Sequence, residues 1–203
     1  MKYKKFLLNT LFSIVGVLIL SFGVAILNIG NVGVDPFTAF NIAVGGAFKI
    51  TLGNFQLLMN IIMLVLLLVF GRQFLGLGTL ISMTMIGYSV EFFTHLFYGL
   101  TIYQSNLIFK IVTLILGSSI FSLGISIYII SGLGVAPYDG LTLLIEDKTS
   151  LKYRFLRIIQ DSSFTLIAFI FKGPIGVGTI ISAFFTGPLI DFWYKIILKY
   201  KKF

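Results

Sequence analysis

Gly30-Asn31-Val32-Gly33-Val34-Asp35-Pro36-Phe37 returns without a gap as Ser131-Gly132-Leu133-Gly134-Val135-Ala136-Pro137-Tyr138, 101 residues further along the chain. Each copy stands between a long apolar run and a short one. Glycine gives the backbone freedom for a sharp entry, and proline in the first turn of a helix gives up only an N–H that has no partner there. The stretch reads as a break between two helices, made twice, with Gly33, Pro36, Gly134 and Pro137 as its hinge and break residues.

Working outward, the same offset pairs Gly16 with Gly117, Ser21 with Ser122 and Gly23 with Gly124. After a single-residue gap near Arg72, Gly76-Leu77-Gly78-Thr79 pairs with Gly176-Val177-Gly178-Thr179, and Ser82, Gly87 and Phe92 pair with Ser182, Gly187 and Phe192. Apolar composition alone does not align glycines and prolines together. The expectation is an internal duplication inside one membrane domain, 1–203, with repeats over about 6–98 and 107–198.

The chain is 58% hydrophobic and 11% charged, where soluble domains carry roughly 25% charged residues. Long apolar runs cover Phe6 to Ile29, Phe55 to Phe70, Leu77 to Leu100 and Leu107 to Ile130, the signature of an all-α polytopic membrane protein. The net charge of +8 does not point to nucleic acid, because the basic residues gather at helix ends instead of lining one groove. Lys2, Lys4 and Lys5 precede the first span and Lys195, Lys199, Lys201 and Lys202 close the last, so both termini are expected on the cytoplasmic side. The start imitates a secretory signal, but its apolar run is long and its pattern recurs inside the chain, so it is read as the first span. With no cysteine and one histidine, a disulfide framework, a thiolate metal site and a cysteine nucleophile are excluded. No metal or cofactor is expected.

The short element after each break sets the architecture. From Pro137 it is expected to reach about Ile145, ahead of a polar loop Glu146-Asp147-Lys148-Thr149-Ser150; its partner runs from Pro36 to about Phe48. At about 1.5 Å per residue neither crosses a hydrocarbon core of about 30 Å. Each half then has three spans plus a short re-entrant half-helix, and an odd number of crossings turns the halves into inverted repeats. A rival with eight spans and parallel repeats distributes the Lys and Arg residues equally well. Helix length and the uncharged linker Gly99 to Asn106 favour six spans.

The spacing Gly-x-Gly-Val-x-Pro, a short helix, an Asn/Asp-bearing helix and Gly-x-Gly-Thr resembles the bacterial YczE/YyaS/YitT group of integral membrane proteins, over about Val15 to Trp193. The resemblance implies a bacterial multi-pass protein of the cell membrane. It carries over no catalytic or substrate residue.

Several polar residues at expected membrane depth are candidates for a substrate or ion pathway, because ionisable groups there are costly and commonly mark one. Asn60 and Asp161 are equivalent at the 101 offset, and Arg157, one turn before Asp161, can pair with it on one helix face. That pair equally reads as a structural lock. Asp35 fits a helix cap and Asp139 the first turn of the second half-helix; as caps they need no further role, but at two inverted half-helix mouths they can share a cavity and hold a cation, or be protonated so that exposed N–H groups hold an anion. Glu91 and Asp191 correspond across the gap, with His95 four residues after Glu91 and expected to pair with it or with water. A proton relay through these three competes with a plain interfacial position beside aromatic residues. The glycine pairs around residues 71–78 and 173–178 lack the lysine and strand context of a phosphate loop.

The leading expectation is a small secondary transporter or exporter whose partners are the lipid bilayer and a small solute or ion, with proton coupling through a carboxylate. One repeat would rock against the other around Gly33 and Gly134. Two alternatives stand: an accessory or scaffold membrane protein that moves nothing, and a channel. An enzyme is not expected, since no nucleophile, metal set or acid/base pair survives inspection.

Overall fold

The computed structural model describes residues 2–200; Lys201 and Lys202 lie outside the described residues. The chain is all-helical there: α1 (Lys2–Ile29), α2 (Pro36–Ala47), α3 (Leu52–Phe70), α4 (Leu77–Leu96), α5 (Leu107–Ile130), α6 (Pro137–Lys148), α7 (Tyr153–Ile170) and α8 (Val177–Tyr200). Short 3₁₀ turns cover Arg72–Phe74 and Tyr98–Tyr103. The apolar run expected to reach Leu100 thus stops as an α-helix at Leu96, and part of the uncharged linker coils as 3₁₀.

Both breaks form where the glycine–proline pattern puts them. Gly33 and Gly134 take φ of +91° and +100°, a region open to glycine and strained for other residues. Pro36 and Pro137 open α2 and α6, each of 12 residues, or about 18 Å at the usual rise per residue. Here one expectation is corrected: α6 does not stop near Ile145 but carries Glu146, Asp147 and Lys148 in its last turn. A cation at a helix C-terminus suits the dipole, and Lys148 lies 4.6 Å above the Phe70 ring, so these residues continue the helix.

Four helices are long and apolar enough to cross a membrane by length and composition: residues 3–29, 52–70, 107–130 and 177–199. Helices α4 and α7, with 20 and 18 residues, were also expected as spans and fall outside that set. Their sequences explain it: α4 carries Thr79, Ser82, Thr84, Ser89 and Glu91, and α7 carries Arg154, Arg157, Gln160 and Asp161. The outer faces of α3 and α5 present Leu58, Ile62, Val65 and Val69, and Ile108, Ile111 and Ile115, to the surroundings, as lipid-facing helices do.

At the centre α1 and α5 cross antiparallel at their glycines. A Cβ placed on Gly16 would stand 2.5 Å from the Tyr128 nitrogen, and one on Gly23 would stand 2.4 Å from the Phe121 nitrogen. From the other side, Gly124 faces Leu20 and Gly16, and Gly117 faces Leu27 and Gly23. Early residues of α1 therefore meet late residues of α5. Small residues let two backbones approach this closely.

The breaks dock by exchange. The first lies on the loop before α8, where Gly178 N–H donates to Val32 O (2.6 Å) and Val34 N–H to Pro174 O (3.2 Å). The second lies on the loop before α4, where Gly78 N–H donates to Leu133 O (2.7 Å) and Val135 N–H to Phe74 O (3.2 Å). Thr79 and Thr179 complete each turn by accepting from Gly76 N–H and Gly176 N–H at 3.1 and 3.2 Å. The Gly-x-Gly-Thr pieces are thus clasps for the other half's break. In the same crossed sense α2 packs on α7 and α6 on α3. The non-helical backbone at both breaks thus finds hydrogen-bond partners within the protein.

Candidate functional site

Helix α7 is amphipathic, and its inward face brings Arg157, Gln160, Asp161 and Phe164 against α6 and α2. Asp161 is 2% exposed, so its charge needs partners nearby. It has two. Arg157 Nε donates to Asp161 Oδ2 at 3.2 Å, and Tyr138 Oη donates to Oδ1 at 2.7 Å. The i, i+4 pairing expected from the sequence is present, but Arg157 does more than neutralise its helix neighbour. Its Nη1 also bonds Asp139 Oδ1 on α6, and its guanidinium lies 4.7 Å from the centroid of the Tyr138 ring. The second oxygen of Asp139 accepts from Tyr128 Oη of α5 at 3.0 Å, while Tyr128 Oη itself accepts the Ala136 N–H at 3.1 Å.

This network ties α5, α6 and α7 together. Ala136 has no side-chain oxygen to cap α6; the Tyr128 hydroxyl takes its N–H, leaving Asp139 to face Arg157. Gln160 holds the same turn, donating to Tyr138 O at 3.0 Å and accepting from Thr142 Oγ1.

The network lines a cavity of about 530 Å³ between α5, α6, α7 and α8. Its charged lining is Asp139, Arg154, Arg157, Asp161 and Asp191; Tyr128 and Tyr153 add aromatic rings, and Ile125, Leu143, Ile158 and Phe184 are among the apolar walls. A second cavity of about 480 Å³ lies among α1, α2, α3 and α4, lined by Asn28, Ile42, Leu52, Glu91, Thr94, His95 and Tyr98. Both volumes fall in the range of roughly 300–1,000 Å³ typical of small-molecule sites.

Of the residues singled out from the sequence, Asp139, Arg157, Asp161 and Asp191 come together around one cavity. Asp35 and Asn60 do not line it. Asp35 caps α2, accepting from Thr38 N–H at 3.0 Å, and its Oδ2 is buried without a hydrogen-bond partner. Asn60 is 3% exposed, inside α3. Of the two partners expected for His95, Glu91 or water, Glu91 is not ion-paired with it: among the described residues the only ion pairs are those of Arg157. Glu91 instead accepts the Gly53 N–H at 3.3 Å, at the N-terminus of α3 where a carboxylate is favoured, and His95 is exposed on the same cavity. Among the described residues no group of three His, Asp or Glu is arranged to hold a metal ion.

Tyr128, Tyr138, Tyr153, Thr142 and Gln160 were not foreseen. The signal that finds them is the offset itself: subtracting 101 places them opposite Leu27, Phe37, Leu52, Asn41 and Met59. The second half carries polar groups at positions where the first has apolar ones, Thr142 excepted.

The family described as "Family of unknown function (DUF6198)" matches residues 7–195. The chain is 29% identical over 190 residues to the "Uncharacterized membrane protein YczE" of Bacillus subtilis (strain 168), covering 93% of this chain and 86% of that protein. It is also 29% identical over 183 residues to the "Uncharacterized protein YyaS" of the same organism, covering 90% of each. An "Uncharacterized protein" of Haemophilus influenzae is 30% identical over 190 residues, covering 89% of this chain and 84% of its own length. No solved structure matches the chain. The apolar helices and these relatives make this a multi-pass membrane protein, and the chain belongs to the DUF6198 family together with YczE-like membrane proteins.

Proposed function

We propose that this protein is a small secondary transporter of the cytoplasmic membrane, built from two inverted repeats of three spans and one re-entrant half-helix each. The observation that carries the reading is the charged network Asp139–Arg157–Asp161 on the wall of a cavity of about 530 Å³. Charges at membrane depth are costly and are kept where something polar must pass. The antiparallel crossing of α1 and α5 supports the inversion. With the N-terminus inside, α1, α3, α4, α5, α7 and α8 cross and the loops that dock on each other fall on matching sides: residues 30–35 with 171–176 outside, 131–136 with 71–76 inside. Only Lys49, Lys110 and Lys172 are then outside, and apart from Arg157 in the network the other 11 of the 15 Lys and Arg fall on the cytoplasmic side, as the positive-inside rule expects.

In this layout the cavity of the second half opens inward and that of the first half outward, and rocking of the repeats about the α1/α5 crossing alternates access. A carboxylate of the network carries the coupling proton. The test is reconstitution into vesicles carrying a proton gradient and an internal pH dye, with solutes added from outside. Solute-dependent proton movement that disappears in Asp161→Asn supports the reading. Vesicles inert across a broad solute panel, from protein that purifies with one fixed partner, would replace it with the scaffold reading.

A further inference from the structure

The two cavities are counterparts, and only one is charged in its depth. Asn28, Ile42, Leu52 and Glu91 of the first correspond to Ile129, Leu143, Tyr153 and Asp191 of the second, at offsets of 101 for the first three and 100 for the last. The deep polar groups of the second, Asp139, Arg157 and Asp161, correspond at the 101 offset to Thr38, Gln56 and Asn60, which are neutral. A duplicated fold needs no charge at these positions to stand, because the first half stands without it.

Charge and shape then select a ligand. Two carboxylates, Asp139 and Asp161, share one guanidinium, Arg157, which leaves one negative charge uncompensated on a largely apolar wall. Arg154 and Asp191, both exposed and of opposite sign, offset each other on the same cavity. An unbalanced charge away from water is costly, and a bound cation removes that cost. Tyr153, half-buried on the cavity, adds an aromatic ring of the kind that attracts cations, whereas Tyr128 is buried and the Tyr138 ring is already covered by Arg157. Apolar walls disfavour a hydrated metal ion and suit a body of carbon.

We infer that the cavity between α5, α6, α7 and α8 binds an organic monocation with an apolar body, and that its counterpart in the first half does not. The inference deepens the transport reading by naming the class of solute that would move.

Tetraphenylphosphonium is the probe, measured by equilibrium dialysis against the full chain in lipid nanodiscs. The expected result is saturable binding of one cation per chain, with affinity lowered at least ten-fold by Asp161→Asn and by Asp139→Asn. Leu143→Trp, which narrows the cavity and keeps every charge, should weaken binding as strongly, and Ile42→Trp in the counterpart cavity should not. The isosteric anion tetraphenylborate should bind at least ten-fold more weakly than the cation. Equal binding of the anion, unchanged affinity in folded Asp161→Asn and Leu143→Trp, or equal loss in Ile42→Trp would each overturn the inference. Binding needs no flux, so cation binding without movement would overturn the transport reading alone, and solute movement without cation binding would overturn this one alone.

Discussion

Phe37 and Tyr138 stack face to face, ring centroids 4.5 Å apart and planes at 21°, although 101 residues separate them. They stand at equivalent positions of the 101-residue offset, and their contact marks the place where α2 and α6 meet. Phe164 closes the cluster edge-on to both, at 5.7 and 5.2 Å. The two rings differ by one hydroxyl, which Tyr138 donates to Asp161 at 2.7 Å. Tyr138→Phe restores chemical symmetry at the stack and removes only that bond. A hydrogen bond to a charged group is worth about 1.5–3 kcal/mol, and Arg157 remains to hold Asp161. A loss of stability in that range, read from thermal unfolding in detergent, is expected for Tyr138→Phe, with a larger loss for Phe37→Ala, which opens a hole against the rings of Tyr138 and Phe164. A neutral Phe37→Ala would show that the half-helices are not packed through this pair.

The clasp at the breaks makes a second, sharper demand. A Cβ on Gly33 would stand 2.3 Å from the Gly176 nitrogen at a φ of +91°, and one on Gly134 would stand 2.6 Å from the Gly76 nitrogen at +100°. Both neighbours are backbone and have little room to shift. Left-handed backbone costs a residue with Cβ about 1–2 kcal/mol, and crowding a packed site typically adds about 1–3 kcal/mol. Gly33→Ala and Gly134→Ala should therefore each lower the unfolding temperature or the folded yield markedly. Gly46→Ala, where nothing lies within 4 Å of the added carbon, should change neither.

Much of this fold was legible because the 101-residue offset supplies its own comparison. The glycine–proline breaks and the span-length runs follow from local chemistry and recur at that offset, whereas Asp35 caps α2 and Ala136 leaves α6 without a side-chain cap. What stayed hidden depends on which half touches which. Nothing local in Gly76-Leu77-Gly78-Thr79 says that it clasps Leu133 of the other half, since that contact is set by the antiparallel crossing of α1 and α5. The site shows the same division. Arg157 and Asp161 announced each other by helical spacing, while Asp139 and Tyr128 joined them through packing between helices. Asp35, read as a cap before Pro36, does cap α2, whereas Asp139, read in the first turn after Pro137, faces Arg157 of α7 through packing that its position in the sequence does not show. The end of α6 was misjudged because Glu146-Asp147-Lys148 is polar, and polarity marks water as readily on a helix as in a loop.

The topology proposed above can be checked with single cysteines, which need no background removal because the chain has none. Lys49, Ser105 and Thr149 are all exposed in connecting segments. In intact cells a membrane-impermeant maleimide should label Lys49→Cys and Ser105→Cys and leave Thr149→Cys unlabelled until the membrane is opened. Eight parallel-repeat crossings would instead put Ser105 and Thr149 on one side. Equal labelling of those two would remove the inverted arrangement.

The neutral half offers the strictest test of whether the charged network serves folding or function. Arg157→Gln alone leaves Asp139 and Asp161 without their shared cation, and Asp161 is 2% exposed. Breaking a buried pair from one side typically costs about 3–5 kcal/mol, and partial exposure of the Arg157 side chain, 25%, places this case toward the lower end. The triple variant Asp139→Thr, Arg157→Gln, Asp161→Asn grafts onto the second half the residues that Thr38, Gln56 and Asn60 provide in the first. It leaves no unpaired charge among these three positions. Its folded yield and unfolding temperature should therefore recover most of what Arg157→Gln loses, because the protein already packs Gln and Asn at the equivalent positions of α3. Activity should not recover with it, since the charge that would select the solute is gone. A triple variant that unfolds as readily as Arg157→Gln would make the network a structural lock, and one that keeps full solute-dependent proton movement would take the network out of the pathway.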